Sequence, residues 1–268
     1  MFIVKIPGIN GENSKGCERS GEAIIKELRK IHANEQGKPI DVDLLDLEEI
    51  HLDNSNLELT NKLIYENSLE IFETKPKTIF LGGDGSISFS VCRAFMEHCK
   101  NSGKEPCLII FDAHADCCEN KKVFPTNRQW LRALIEYGFP PENALLVGIR
   151  NINNNEGMFL KDKKIKMFSI DSLTEDLHEA CDTIMEFTNN KEVYVSIDID
   201  AIDPAFAPSV NSPEPCGLNS RDFLHIIKRL NKIKNLKALD IVEINEQEDM
   251  KNNGSTIKLG AKILSEII

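Results

Sequence analysis

Eight apolar runs of strand length alternate with stretches of helical periodicity along these 268 residues. That alternation leaves few folds open. The runs lie at 2–6, 41–46, 78–82, 107–112, 144–149, 166–170, 193–198 and 236–243. Helical spacing of apolar residues occupies about 18–34, 57–73, 86–100, 127–138, 174–188, 219–233 and 256–267. Ser220 and Asp222 supply helix-start chemistry for the sixth helix, as does Thr174 with Glu175 and Asp176 for the fifth. Strands separated by helices pair in parallel and need cover on both faces. The expectation is an α/β fold: a three-layer α/β/α sandwich whose mainly parallel sheet has about eight strands. No linker rich in Gly, Ser or Pro interrupts the pattern, so residues 1–268 are read as a single domain.

Composition narrows the function classes. The net charge of −11, with no long basic run, disfavours nucleic acid, because phosphate contacts need a basic footprint. It suits a small cationic ligand instead. No stretch approaches the roughly 20 apolar residues that span a bilayer, so no membrane association is expected. Met1 to Ile6 reads as a first strand rather than a signal segment, and the eight cysteines show no zinc or disulfide spacing. A cytoplasmic protein with free thiols is the expectation, with Cys117-Cys118 as two ordinary loop thiols.

Two predicted strands end in acids. Phe111-Asp112-Ala113-His114-Ala115-Asp116 follows one apolar run, and Ser196-Ile197-Asp198-Ile199-Asp200 follows another. Alternate side chains in such segments project to one side, so Asp112, His114 and Asp116 can share a pocket with Asp198 and Asp200. Carboxylates that close repel or take up protons unless a cation offsets them. An oxygen-rich set with one imidazole suits manganese or magnesium better than structural zinc. The other candidates are assigned plainer roles: Asp203 before Pro204 as a turn-former, Asp84 as an organiser of its loop, Trp130 as a core residue, and the remaining histidines as structural.

The second acidic run extends to Asp203-Pro204 and Pro208. With Gly82-Gly83-Asp84, Asp112-Ala113-His114-Ala115-Asp116, Glu243-Ile244-Asn245 and the loop Gly16-Cys17-Glu18-Arg19, the chain resembles the arginase/agmatinase (ureohydrolase) family over nearly its whole length. The resemblance implies an arginase-like fold and a binuclear Mn2+ site that hydrolyses a guanidino group to urea. It implies that Asp112 and Asp198 are shared by both ions, that His114 and Asp200 complete one (site B), and that Asp116 binds the other (site A) and accepts a hydrogen bond from the attacking hydroxide. Glu243 is implied to receive the substrate's guanidinium through charge-assisted hydrogen bonds. A homo-oligomer is also implied, although the sequence shows no interface.

Departures from the family pattern shape the expectation further. Gly85 stands where the family has a site A histidine, and Asn127 aligns with its proton-shuttling histidine; no histidine lies between His114 and His178. Asparagine cannot act as a general acid. The family's Gly-Thr-Pro turn is Asn211-Ser212-Pro213, its Asn-Pro after the glutamate is Asn245-Glu246, and its loop for an amino acid's α-carboxylate is not recognisable in Cys117 to Phe124. The expectation is one firm Mn2+ at site B with the second ion weak or absent. Three readings of function follow: an amidinohydrolase, agmatinase-like rather than arginase-like, acting on a small cationic guanidino compound; a non-catalytic relative that retains metal; or a single-metal, deacetylase-like amidohydrolase, for which the tandem histidine base is missing.

Overall fold

The computed structural model describes residues 1–119 and 123–268. Its strands are β1 (Phe2–Ile6), β2 (Asp46–Glu49), β3 (Thr78–Gly82), β4 (Pro106–Phe111), β5 (Ala144–Ile149), β6 (Lys166–Ser169), β7 (Glu192–Asp198) and β8 (Leu236–Val242). They form one sheet in the order β2-β1-β3-β8-β7-β4-β5-β6, and every pairing is parallel. The helices among the described residues are α1 (Ser20–Leu28), α2 (Leu57–Thr74), α3 (Ser86–Asn101), α4 (Trp130–Tyr137), α5 (Asn154–Lys163), α6 (Ile170–Glu175), α7 (Leu177–Phe187), α8 (Ser220–Leu230), α9 (Glu246–Asp249) and α10 (Ser255–Ile267). None is long and apolar enough to cross a membrane.

Strand alternation divides the interior into two cores. Ile79 and Leu81, Ile109 and Phe111, and Val195 and Ile197 point to the face covered by α1, α7, α8 and α10. Phe80, Leu108, Ile110 and Tyr194 point to the opposite face, covered by α2, α3 and α4. Because both faces are covered, the central strands are buried throughout and are predominantly apolar. The three-layer parallel sandwich expected from the alternation is the observed fold.

Four local expectations need correction. The run at 41–46 is not a strand: the Asp41 side chain accepts from the Asp43 amide and closes a 3-10 turn over Val42–Leu44, so β2 begins at Asp46. β2 is an edge strand of charged residues, the composition that keeps an edge from pairing with other chains. The helix expected at 174–188 is two helices, α6 and α7, broken at Asp176, whose side chain caps α7 by accepting from the His178 and Glu179 amides. Helix α5 was not anticipated, yet its signal is Asn153-x-x-Glu156, a reciprocal capping box. At the sixth expected helix the cap is Asn219, which accepts from the Asp222 amide.

Candidate metal centre

The carboxyl ends of β3, β8, β7 and β4 lie side by side in the middle of the sheet. Ligands bind at such ends in parallel sheets. Asp84 follows β3, Glu243 follows β8, Asp198 ends β7 and Asp112 follows β4, so four neighbouring strands deliver acids to one place. Asp112, Asp198, Asp200 and Glu243 are all buried.

Five expected ligands meet. One ligand atom each from Asp112, His114 and Asp200 lie within 4.8 Å of one another, and so do those of Asp112, Asp116 and Asp198. The two triads share Asp112. Backbone and ring contacts hold them. Asp112 accepts from the His114 amide at 2.6 Å, Asp198 accepts from the Asp200 amide at 2.9 Å, and Asp200 accepts from the Ala113 amide at 2.9 Å. His114 Nδ1 lies 2.9 Å from Asp200 Oδ2. Trp130, buried as expected at the start of α4, also donates its indole N–H to Asp116 Oδ2 at 2.8 Å, a role that the sequence did not show.

Backbone geometry is unusual at two of these acids. Asp116 has φ 49° and Glu243 has φ 67°, the left-handed region that residues with a Cβ rarely adopt. Such strain persists where the surroundings over-determine it, and it clusters at functional sites.

Burial pushes the acids towards protonation. It raises Asp112 and Asp198 well above the ordinary carboxylate range, with neighbouring acids adding to the effect. Burial and then Asp200 raise Asp116 to about 7, while burial and then Asp84 raise Glu243 to about 8. Burial acts most strongly on His114 and lowers it, but the hydrogen bond to Asp200 and the negative charges of Asp200 and Asp116 together outweigh it and raise the imidazole. Buried, mutually repelling oxygen donors with one imidazole fit a divalent cation, which removes the conflict that burial creates.

This electrostatics has a measurable consequence. Acids whose folded pKa is raised bind more protons folded than unfolded, so the metal-free protein loses stability as pH rises from about 4 through the folded values near 7 and 8. A divalent cation binds the ionised carboxylates and offsets that loss. The difference in Tm between metal-loaded and chelator-treated protein is expected to widen from pH 5 to pH 8. A constant difference would show that these carboxylates do not hold the ion.

Glu243 is held from three sides. Its Oε1 accepts from the Gly85 amide at 2.8 Å and Asn127 Nδ2 at 3.0 Å, and its Oε2 accepts from Asn211 Nδ2 at 2.9 Å. Asp84 organises its loop as expected, accepting from the amides of Asn10, Gly11 and Ser86. The N-terminal loop can cross here because residue 83 is glycine: a Cβ there would lie 2.0 Å from the Gly8 carbonyl oxygen. Asp203 is the expected turn-former, bonded by the Ala205 and Gly217 amides. The space enclosed by His114, Asp116, Asp198, Asn211 and Glu243, with Arg128 at its exposed side, is about 20 Å³. Of the segment Cys117 to Phe124 considered for α-carboxylate recognition, residues 120–122 lie outside the described residues.

One structural partner escaped the sequence reading. Asp240 on β8 is fully buried and accepts from Ser88 Oγ, Tyr194 OH, Ser196 Oγ and the Ile197 amide. Ser196 thus clamps β7 to β8 two residues before Asp198 and three before Glu243 along the respective strands. An acid among the apolar residues in the second half of a buried central strand was the available signal.

A family model described as the arginase family matches residues 2–268. The chain belongs to the arginase family. Among its relatives in that family, "Arginase 1, mitochondrial" of Arabidopsis thaliana is 30% identical over 249 residues, spanning 88% of this chain and 69% of that protein. The arginase fold is also that of formimidoylglutamase from Bacillus subtilis, with a TM-score of 0.88, 21% identity, and coverage of 99% of this chain and 84% of that one. Proclavaminate amidino hydrolase from Streptomyces clavuligerus gives a TM-score of 0.87 at 23% identity, with 99% and 89% covered.

Proposed function

We propose that this arginase-family protein is a divalent-metal-dependent hydrolase that cleaves a C–N bond in a small cationic guanidino or amidino compound, releasing urea from a guanidino group. The supporting observation is the convergence of two largely buried triads on Asp112 beside a further buried acid, Glu243. Asp112 and Asp198 are the shared ligands in this reading; His114 and Asp200 complete one position, and Asp116 serves the other. When bound there, divalent cations supply the Lewis acidity that makes water a nucleophile near neutral pH. Manganese is the assigned metal, on donor chemistry.

The chain's own groups divide the remaining work. Glu243 receives the cationic amidino group, whose positive charge compensates a carboxylate that burial alone drives towards neutrality. Asp116, oriented by the Trp130 indole N–H, accepts a hydrogen bond from the attacking hydroxide in this reading. Burial of the acids excludes bulk water and strengthens both interactions. An agmatinase-like substrate, with no α-carboxylate to be gripped, is favoured over arginine. The eight unpaired cysteines support a reducing, cytoplasmic location.

The test is urea release over a panel of guanidino compounds in excess manganese, with metal content measured per chain. One ion is expected to be held tightly. An ideal Cβ at Gly85 meets Asn127 Cβ at 3.5 Å and Glu243 Oε1 at 3.6 Å, ordinary contacts, so Gly85→His is accommodated at the backbone. It is expected to tighten the second ion by about tenfold or more, the scale at which changes around a metal act. Two equally tight ions in the unaltered protein would refute the one-firm-ion assignment.

A second reading, a non-catalytic relative, is favoured by the asparagine amides already bonded to both Glu243 oxygens. Bound metal with no urea from any compound would establish it. The deacetylase-like reading lacks support, since among the described residues His114 is the one histidine lining the space between the acids.

A further inference from the structure

Arg150 directly follows β5, and its side chain spends its donors on the backbone. Nη2 donates to the Asp200 carbonyl at 2.7 Å and the Glu214 carbonyl at 2.6 Å. Nε donates to the Pro215 carbonyl at 3.0 Å, and Nη1 to the Gly148 carbonyl at 3.3 Å. Among the described residues, every hydrogen bond from this guanidinium ends on a main-chain oxygen. The Glu214 carboxylate accepts from Asn151 Nδ2 instead.

The Asp200 carbonyl needs such a partner. Asp200 is buried in the 3-10 turn Ile199–Ala201 that follows β7, and the last carbonyls of a helical turn find no donor within it. Arg150 supplies the donor, so Asp200 is held at both ends. Its carboxylate accepts from the Ala113 amide at 2.9 Å and lies 2.9 Å from His114 Nδ1. The Arg150 amide in turn donates to the Ala113 carbonyl at 2.9 Å. One residue thus grips the loop of Asp112 and His114 through its backbone and the loop of Asp198 and Asp200 through its side chain. The fit is close: a Cβ on Gly217 would lie 2.7 Å from Arg150 Nη2. Carbonyls on several sides suit a planar fork of five donors, whereas the three donors of an ammonium leave from one atom.

We propose that Arg150 is a positioning residue for the metal position formed by Asp112, His114 and Asp200, and that it sets the affinity there by fixing the spacing of the two ligand loops. This rests on the reading of those three residues as metal ligands. Arg150 offers the metal no ligand atom; it acts through Asp200 and Ala113. Residues that only orient ligands typically account for about 10- to 100-fold in metal affinity.

The test compares the full chain with Arg150→Lys. Mn2+ affinity is read by electron paramagnetic resonance of the free ion, ligand geometry by the visible spectrum of the Co2+-loaded protein, and fold by thermal melts in chelator. Arg150→Lys is expected to melt within roughly 3 °C of the parent in chelator. It should bind Mn2+ at least about tenfold more weakly and show an altered Co2+ spectrum. Arg150→Gln, which keeps a planar donor for one carbonyl, should behave alike and carries the test if the lysine variant does not fold. A folded variant with Mn2+ affinity within about threefold of the parent, or with an unchanged Co2+ spectrum, would overturn the proposal and leave the metal centre standing. Failure of both variants to fold would also overturn it, since Arg150 would then hold the fold rather than the metal position. A parent that binds neither ion would remove the metal reading and this proposal together.

Discussion

Asp112→Asn is expected to strip the protein of divalent metal while leaving it folded. Asp112 is the one residue common to both triads, so a single substitution reaches both metal positions. Asparagine keeps an oxygen for the His114 amide that Asp112 now accepts, and so preserves the loop. It removes the negative charge on which a hard cation depends. Affinity should fall by more than about 100-fold, beyond the 10- to 100-fold typical of residues that only support a ligand. Any urea release should fall with it. In chelator the sign reverses: burial already disfavours the ionised form of Asp112, so the neutral variant should melt no lower than the metal-free parent at pH 8. Elemental analysis and thermal melts read both effects. One tightly held ion per chain in the variant would remove Asp112 from the metal centre.

Asp240→Ala should be the most damaging substitution for stability. Its carboxylate accepts from three side-chain hydroxyls and one backbone amide, at 2.8 to 3.2 Å, with no exposure to water. Burial raises its pKa even though all four donors act to lower it. Truncation leaves those donors buried and unpaired and opens a cavity between β7, β8 and α3. The cost should be about 3–5 kcal/mol, the range for breaking a buried charged network by removing one partner. For a chain of this size that lowers Tm by roughly 10 °C. Tyr194→Phe, which removes one donor and leaves three, should cost about 1 kcal/mol. If Asp240→Ala melted within a degree or two of the parent, the network would be incidental to the fold.

The contrast between these residues explains what a reader of the sequence can and cannot see. Asp112, His114, Asp116, Asp198 and Asp200 are legible because each cluster is local: a strand ends, and alternate side chains face one way. The sandwich is legible for the same reason, since alternation of short apolar runs with amphipathic stretches repeats along the whole chain. Contacts between distant segments are not written locally. Nothing near Asn211 announces that its amide meets Glu243, or that Asn127 reaches the same carboxylate. Trp130 looked like core because it is core; its N–H on Asp116 is a second role that burial hides. The helix that begins after Asn153 escaped because its apolar face is sparse, although its cap was spelled out. Asp41 bent a strand-like run into a turn through one side-chain bond, a local competition that apolar periodicity does not register.

The position of β8 constrains how the protein can be made. This strand, residues 236–242, enters between β3 and β7, which precede it in the chain. Until those late residues leave the ribosome, the two halves of the sheet share no ladder, and each presents an open apolar edge. Open edges of this kind recruit other chains, so the nascent protein is most exposed to aggregation just before β8 is synthesised. Glu243 and Asp240 arrive with the same strand. The end of the sheet that carries the candidate metal centre is therefore assembled only after β8 has emerged, and a chain cut short before β8 lacks both the seam that joins its sheet and the acid beside that centre.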